Sequence, residues 1–292
     1  MSEKAHLDCR AEWLIRTRFQ HESPDEAAEA LTYLGNVRDR VLENAALREG
    51  ETILDVGTGT GLLAFGALER VGEIGCVIAL DISSDCLSEL RRLAQESRNT
   101  YRLSYVTGNS ITLPLMDTSV DVVVTRSVLI YIRDKARVAA EFFRVLRPGG
   151  RFSVFEPINR CNTRLYQMVD LGPLEFLSKR VAAEEEAWYA ADDPMVSFDE
   201  SDLEQTFTRA GFIDVHSDLQ WREETHHLTD EYLERMLHGI GAPGRPSLLQ
   251  RWQGAFVPKE VQTFVSFLST LIGRSLTSRK VVVYLSGTKP ES

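Results

Sequence analysis

Residues 52 to 64 read TILDVGTGTGLLA. An apolar, β-branched run stops at an acid, Asp55, and breaks into three glycines spaced two apart, Gly57, Gly59 and Gly61. The run is a buried strand, and the leucines that follow open a helix. Small residues between them let the backbone turn tightly and approach a ligand, while the helix offers unpaired N–H groups. Two templates fit at once. From Gly59, GTGLLA matches a G-x-G-x-x-A turn, which sets a helix N-terminus against a pyrophosphate. From Asp55, DVGTGTG is D-x-G-x-G-x-G, and the loop by itself does not choose between them.

Downstream the strand and helix signals alternate. After TILDV and a helix over 61 to 72 come CVIALD, a helix over 84 to 97, LSYVTG, DVVVTRSVLIYI, a helix over about 134 to 146 closed by RPGG, and RFSVFEP. Such alternation predicts parallel strands with right-handed crossovers, an α/β doubly wound sheet. Upstream, SPDE at 23 to 26 carries an N-cap, a first-turn proline and a capping-box glutamate. It predicts an amphipathic helix with Leu31, Leu34, Val37 and Val41 on its apolar stripe.

The alternation lapses after Pro157, resumes with a helix capped by Ser201 and Glu204, a strand at about 212 to 220, and a last strand at 280 to 287. The pattern divides the chain into an N-terminal helical segment (1 to 49) and a core (50 to 157). A cap insertion (158 to 197), the end of the core sheet (198 to 220 and 279 to 292) and a helical cap (221 to 278) complete it. One long helix over 246 to 274, apolar on more than one face, packs between cap and sheet or forms a homodimer seam.

The 292 residues carry a net charge of -10, which argues against a nucleic-acid partner. Cys9, Cys76, Cys86 and Cys161 show no C-x-x-C pairing or histidine at metal spacing, so no metal site is expected. No secretory signal and no apolar run long enough to span a bilayer is visible, which points to a soluble, cytoplasmic protein.

The remaining motifs decide between the templates. Asp81 ends the second strand 20 residues past Gly61, where a carboxylate can accept both hydroxyls of a ribose. GNSITLPL (108 to 115), DVVVTRSVLIYI (121 to 132) and RVLRPGGRFSVFEP (144 to 157) follow in order. Together with DVGTGTG, they resemble the third, fourth and fifth strand regions of class I S-adenosylmethionine-dependent methyltransferases, in particular the broad ubiquinone/menaquinone-type group. The resemblance covers residues 50 to 157, 198 to 218 and 280 to 287. It implies a Rossmann-like, mostly parallel seven-stranded sheet with S-adenosylmethionine as cofactor and S-adenosylhomocysteine as product.

The resemblance also implies a cofactor site. Asp55, Gly57, Thr58, Gly59 and Gly61 would hold the amino-acid end, Asp81 and Ile82 the ribose side, and Asn109, Ser110 and Ile111 the adenine edge. Arg126, Ser127 and Val128 would border the methionine part. Asn109 stands where the family more often has an acid, and many relatives carry a histidine after the fourth strand, where this chain has none.

Methyl transfer from a sulfonium needs alignment in a dry pocket more than a dedicated catalytic group, so no catalytic residue is assigned. Tyr33, Tyr131, His226, His227 and His238 are the candidate bases for an acceptor that needs one. Tyr33, Tyr131, Tyr166 and Trp188 are the candidate lining of an acceptor pocket for a small, apolar or aromatic metabolite. A SAM-binding cyclase or other non-methylating protein, and an NAD-dependent oxidoreductase built on GTGLLA, are the alternatives.

Overall fold

The apolar runs become strands: β1 (Thr52–Val56), β2 (Cys76–Asp81), β3 (Leu103–Thr107), β4 (Val120–Arg126), β5 (Leu146–Pro157), β6 (Ile213–His227) and β7 (Ser275–Thr288). The computed structural model describes residues 7–20, 22–96, 102–189 and 192–292. Among these the seven strands form one sheet in the order β3-β2-β1-β4-β5-β7-β6. The first five are parallel, and β7 runs antiparallel to both β5 and β6. The doubly wound, mostly parallel sheet expected from the sequence is present. Ile53, Leu54 and Val56 are all buried because helices cover both faces.

The helices are α1 (Cys9–Glu12), α2 (Pro24–Asn44), α3 (Leu62–Arg70), α4 (Ser84–Glu96), α5 (Lys135–Val145), α6 (Leu165–Met168), α7 (Phe176–Ala187), α8 (Glu200–Arg209), α9 (Asp230–His238), α10 (Leu248–Ala255) and α11 (Pro258–Ser269). On one face α2, α3 and α4 bury Val37, Val41, Leu63, Leu68 and Leu90 against the sheet. On the other, α5 and α8 bury Val138, Phe142, Leu203 and Phe207. The Phe152 ring stacks on Phe207 at 4.4 Å and meets Phe212 edge-on at 4.6 Å.

The capping box of α2 forms as expected, with Ser23 and Glu26 each accepting the other's backbone N–H. Its predicted stripe is one residue too wide: Leu31 is 60% exposed, and burial begins at Leu34. The start of α8 also differs. Asp199, not Ser201, is the N-cap and pairs with Asp202, because the buried Phe198 ring fixes where the chain enters and a carboxylate follows it directly.

The expected helix over 246 to 274 is two helices. Pro258 lacks an N–H and forces Val257 into an extended conformation, so the chain breaks there and α11 starts with proline in its first turn. Both pieces pack into a third core, with Trp252 edge-on to Phe264 at 4.1 Å. That core also contains Leu165, Leu174, Leu177 and Val181, so the two insertions make one cap.

β6 and β7 run longer than the sequence pattern indicates. β5 pairs with β7 only as far as Pro157 against Val282, whereas β6 and β7 stay paired to His227 against Ser275. The upper half of this pair is a two-stranded ribbon that projects past the sheet toward the cap.

A Cβ added to Gly287 on β7 would lie 2.7 Å from the buried Phe152 ring. Gly287→Ala is therefore expected to cost about 1 to 3 kcal/mol, several degrees in Tm. Gly254→Ala, with open space at its Cβ on α10, should be neutral or stabilising by up to about 1 kcal/mol. Thermal melting of the two variants checks both outcomes.

Candidate functional site

Chain order reverses between β1 and β4, so their neighbours' crossovers diverge and leave a crevice at the carboxyl ends of both strands. The glycine loop lies there. Gly57, Gly59 and Gly61 have φ of 68°, 55° and 94°, a conformation that disfavours any side chain. The space is also taken: added Cβ atoms would meet Val128 at 2.2 Å, Leu14 at 2.9 Å and Leu90 at 2.3 Å respectively.

Two carboxylates frame this loop. Asp55 is buried, and its Oδ2 accepts the Thr58 hydroxyl at 2.6 Å. Burial, with the Asp81 charge as a lesser cause, pushes the Asp55 carboxyl up to about 7. Asp81 accepts the Gly59 N–H at 2.8 Å and the Ser83 N–H at 2.9 Å. Those two bonds leave about half of its acceptor capacity for a ligand. Beside it Ile82 is 51% exposed, an apolar surface at the crevice mouth. Across from it, the Asn109 Oδ1 accepts the Ile111 N–H at 3.1 Å, so this side chain closes its own turn, and Ser110 is buried beneath it.

The end of β4 forms the opposite wall. Ser127 takes φ of 55° and donates its N–H to the Phe155 carbonyl at 2.9 Å. The following turn is tied down by Glu156, a residue that sequence reasoning passed over. Its buried carboxylate accepts the N–H groups of Val128, Leu129 and Ile130 at 2.8, 2.8 and 3.1 Å. Burial outweighs those bonds and pushes it up to about 7. The only trace in the sequence is an acid closing an apolar strand, SVFEP.

A second group of missed residues comes from the N-terminus. The Asp8 carboxylate accepts the Ser83 hydroxyl, and the Asp8 N–H donates to Asp85 at 2.7 Å. Leu14 rests on Gly59, and the Trp13 Nε1–H donates to the Ile240 carbonyl at 2.9 Å. Residues 8 to 17 therefore strap the glycine loop between α4 and the cap. No sequence signal marks this, because the strap has no contiguous partner in the chain.

From Arg126 a cavity of about 510 Å³ opens between α2, the end of β5 and the β6–β7 ribbon. Tyr33, Phe155, Trp221 and Tyr284 supply its aromatic walls, and Arg222 and Lys280 its rim. A smaller cavity of about 300 Å³ lies under the cap, and Asn159 and Asn162 line both.

Of the residues expected in an acceptor pocket, Tyr33 lines the inner cavity and Trp188 the outer one. Tyr131 packs against the core below the β4 turn and lines neither. The Tyr166 hydroxyl donates to Glu186 at 2.7 Å on the cap, away from both cavities. The histidines also fall elsewhere: His226 stacks on Tyr232 at 5.0 Å, His227 pairs with Ser275 at 3.0 Å, and His238 lies 3.4 Å from Glu234. Among the described residues no cluster of ligating side chains could hold a metal ion.

Paired acids at a glycine turn repel a pyrophosphate, whereas they favour a cationic ligand that also carries a ribose. The donor set, the left-handed glycines and the exposed Ile82 fit S-adenosylmethionine, whose sulfonium and ammonium groups are both cationic.

Comparison with known proteins agrees with this fit. Residues 33–220 match the model of the ubiE/COQ5 methyltransferase family. The ubiquinone/menaquinone biosynthesis C-methyltransferase UbiE of Francisella tularensis subsp. novicida is 30% identical over 182 residues, 61% of this chain and 73% of that protein. Solved structures that share the fold include the following two. Haemonchus contortus phosphoethanolamine N-methyltransferase 2 in complex with S-adenosyl-L-methionine has a TM-score of 0.51 at 17% identity, covering 99% of this chain and 61% of its own. The [4+2]-cyclase SpnF has a TM-score of 0.53 at 18% identity, covering 88% and 81%.

The raised Asp55 carboxyl makes a pH prediction for the ligand-free protein. The folded state holds this proton up to about pH 7, and the unfolded chain releases it near 4. The stability it contributes is full below about pH 4 and lost as pH rises through about 7. Asp55→Asn removes that loss, so urea unfolding should show the variant gaining on the wild type between those limits. A difference that does not change with pH would contradict the assignment.

Proposed function

The chain belongs to the ubiE/COQ5 methyltransferase family, and on that premise we propose that it methylates a ring carbon of a small quinone-like aromatic acceptor held in the Arg126 cavity. It is a SAM-dependent methyltransferase. The observation that carries the acceptor reading is the placement of the cavity: Arg126 and Ser127, at the carboxyl end of β4, line it and also adjoin the glycine crevice. S-adenosylmethionine supplies a methyl group already activated on a sulfonium.

This chain's own residues bind, orient and exclude water. Asp55, Gly57, Thr58, Gly59 and Gly61 would receive the amino-acid end of the cofactor, whose positive charge would favour the ionised form of the Asp55 carboxyl. Asp81 accepts the ribose hydroxyls with its free lone pairs. Ile82 and Ile111 provide apolar surface for the adenine, and Ser110 lies at its edge. Ser127 and Val128 close the methionine side. Leu14 and the strap over the glycine loop keep water from the crevice, where fixed charges act in a lower dielectric. Tyr33 is the one candidate base from the sequence that lines the acceptor cavity.

The names of the relatives support a carbon acceptor, and the aromatic walls formed by Tyr33, Phe155 and Tyr284 support a flat ring. The net charge of -10 supports a small molecule over a nucleic acid.

Isothermal calorimetry with S-adenosylhomocysteine tests the cofactor assignment. Binding in the micromolar range is expected, and Asp81→Ala should weaken it roughly 10- to 150-fold, the worth of about 1.5 to 3 kcal/mol for bonds to a charged group. Incubation with isotopically labelled S-adenosylmethionine and a reduced naphthoquinone should place the label on ring carbon, read by fragment mass spectrometry. Binding of NADH without S-adenosylhomocysteine would overturn the reading.

A further inference from the structure

The cavity beside β4 has a charge pattern that a neutral ring does not explain. Arg126 is set deep in it, and its Nε is buried with no hydrogen-bond partner. Such a donor costs free energy unless a ligand satisfies it. Arg222 and Lys280 add two more cations to the lining, against one carboxylate among the described residues, Glu224. Glu224 is committed to Arg222, with which it forms an ion pair. A chain with a net charge of -10 therefore gathers an excess of positive charge in this one cavity.

The acids nearest Arg126 do not neutralise it. Glu156 spends its carboxylate on three backbone N–H groups of the β4 turn. The other charged neighbours of Arg126 are Asp55, which accepts the Thr58 hydroxyl at the glycine loop, and a second guanidinium, Arg18, which lies against the Trp13 and Phe19 rings at 5.2 and 5.0 Å. Burial, and secondarily the Arg126 charge, lowers Arg18 to about 10. Arg126, with its Nε unsatisfied and Arg222 and Lys280 on the same lining, makes this aromatic cavity a site for an anion.

We infer that the cavity takes its aromatic acceptor as an oxyanion, an ionised ring hydroxyl or enol, paired with the Arg126 guanidinium. This inference rests on the methyltransferase reading and sharpens its substrate class. The anion is one with a single delocalised charge. A phosphate dianion would call for a fork of donors on each oxygen, whereas Tyr33, Phe155 and Tyr284 face Arg126 with aromatic rings and the other two cations, Arg222 and Lys280, stand at the rim. An oxyanion pushes electron density onto the ring carbon beside it, so that carbon is nucleophilic as bound. No base is then needed to ionise the ring hydroxyl, the ring proton that the methyl displaces passes through water to the oxygen, and among the described residues no histidine lines the cavity. Arg126 is in this sense a specificity residue: it selects the ionised form of the acceptor and holds its oxygen at the cofactor end of the cavity.

The test compares two probes that differ by one methyl group, 2-hydroxy-1,4-naphthoquinone, ionised at neutral pH, and its uncharged methyl ether. Calorimetry on the full chain saturated with S-adenosylhomocysteine should show the anion binding at least about tenfold more tightly than the ether. Arg126→Gln should remove most of that preference while changing the ether's affinity by less than about threefold, and Arg126→Lys should keep part of it. Lys280→Gln, at the exposed rim, is a second variant that leaves the interior intact and should cost the anion about two- to fivefold. Equal affinity for the two probes in the wild type, an equal loss of both in Arg126→Gln, or binding of neither overturns the inference. S-adenosylhomocysteine binding, recorded in the same samples, separates this outcome from a failure of the methyltransferase reading itself.

Discussion

The Glu156 carboxylate holds the site together. It stands at the end of β5, buried, and accepts the N–H groups of Val128, Leu129 and Ile130, which follow β4. Three donors on one carboxylate fix a turn that would otherwise bury unsatisfied backbone groups. Two consequences follow from that geometry. Val128 is pressed onto Gly57, which makes the first glycine of the loop obligatory, and Ser127 is held in a left-handed conformation. The turn therefore leaves Arg126 as the last strand residue, facing a cavity instead of the sheet.

Around this point the molecule divides its labour by element. The parallel strands and their loops provide the crevice at the glycine loop, and the residues that frame it fall within one stretch, 55 to 128. The Arg126 cavity is a composite. Tyr33 comes from α2, Phe155 and Pro157 from β5, Trp221 and Arg222 from β6, and Lys280 and Tyr284 from β7. Its wall exists because β6 and β7 continue to pair beyond the end of β5, and the cap sits on that extension. Changes in the ribbon or cap can thus reshape this cavity without disturbing the glycine loop.

Polar ties join the N-terminal segment to both parts. Asp8 reaches Ser83 and Asp85 on the cofactor side, while Trp13 reaches Ile240 on the cap side. Glu26, at the start of α2, adds a bidentate pair with Arg235 of α9 at 2.6 and 2.8 Å, which holds that carboxyl down at about 2. A strap anchored at both ends encloses the crevice at lower entropic cost than a free terminus would.

The sequence by itself determined the sheet and the glycine loop. Strand periodicity, glycine spacing and strand-end acids are local signals, and each reports a constraint between residues close in the chain. Asp55, Gly57, Gly59, Gly61 and Asp81 all lie where that logic put them, around one crevice. The misplaced boundaries, Leu31 on the surface, Asp199 as the cap of α8 and the break at Pro258, arose where several local solutions were equally good and packing chose one. Only the tertiary structure decided the Arg126 cavity. Tyr33, Arg126, Trp221 and Lys280 meet because a helix, a parallel strand and an antiparallel ribbon converge, and side-chain type alone carries no record of that convergence. The same holds for Glu156 and Leu14, whose roles depend on partners 26 to 45 residues away.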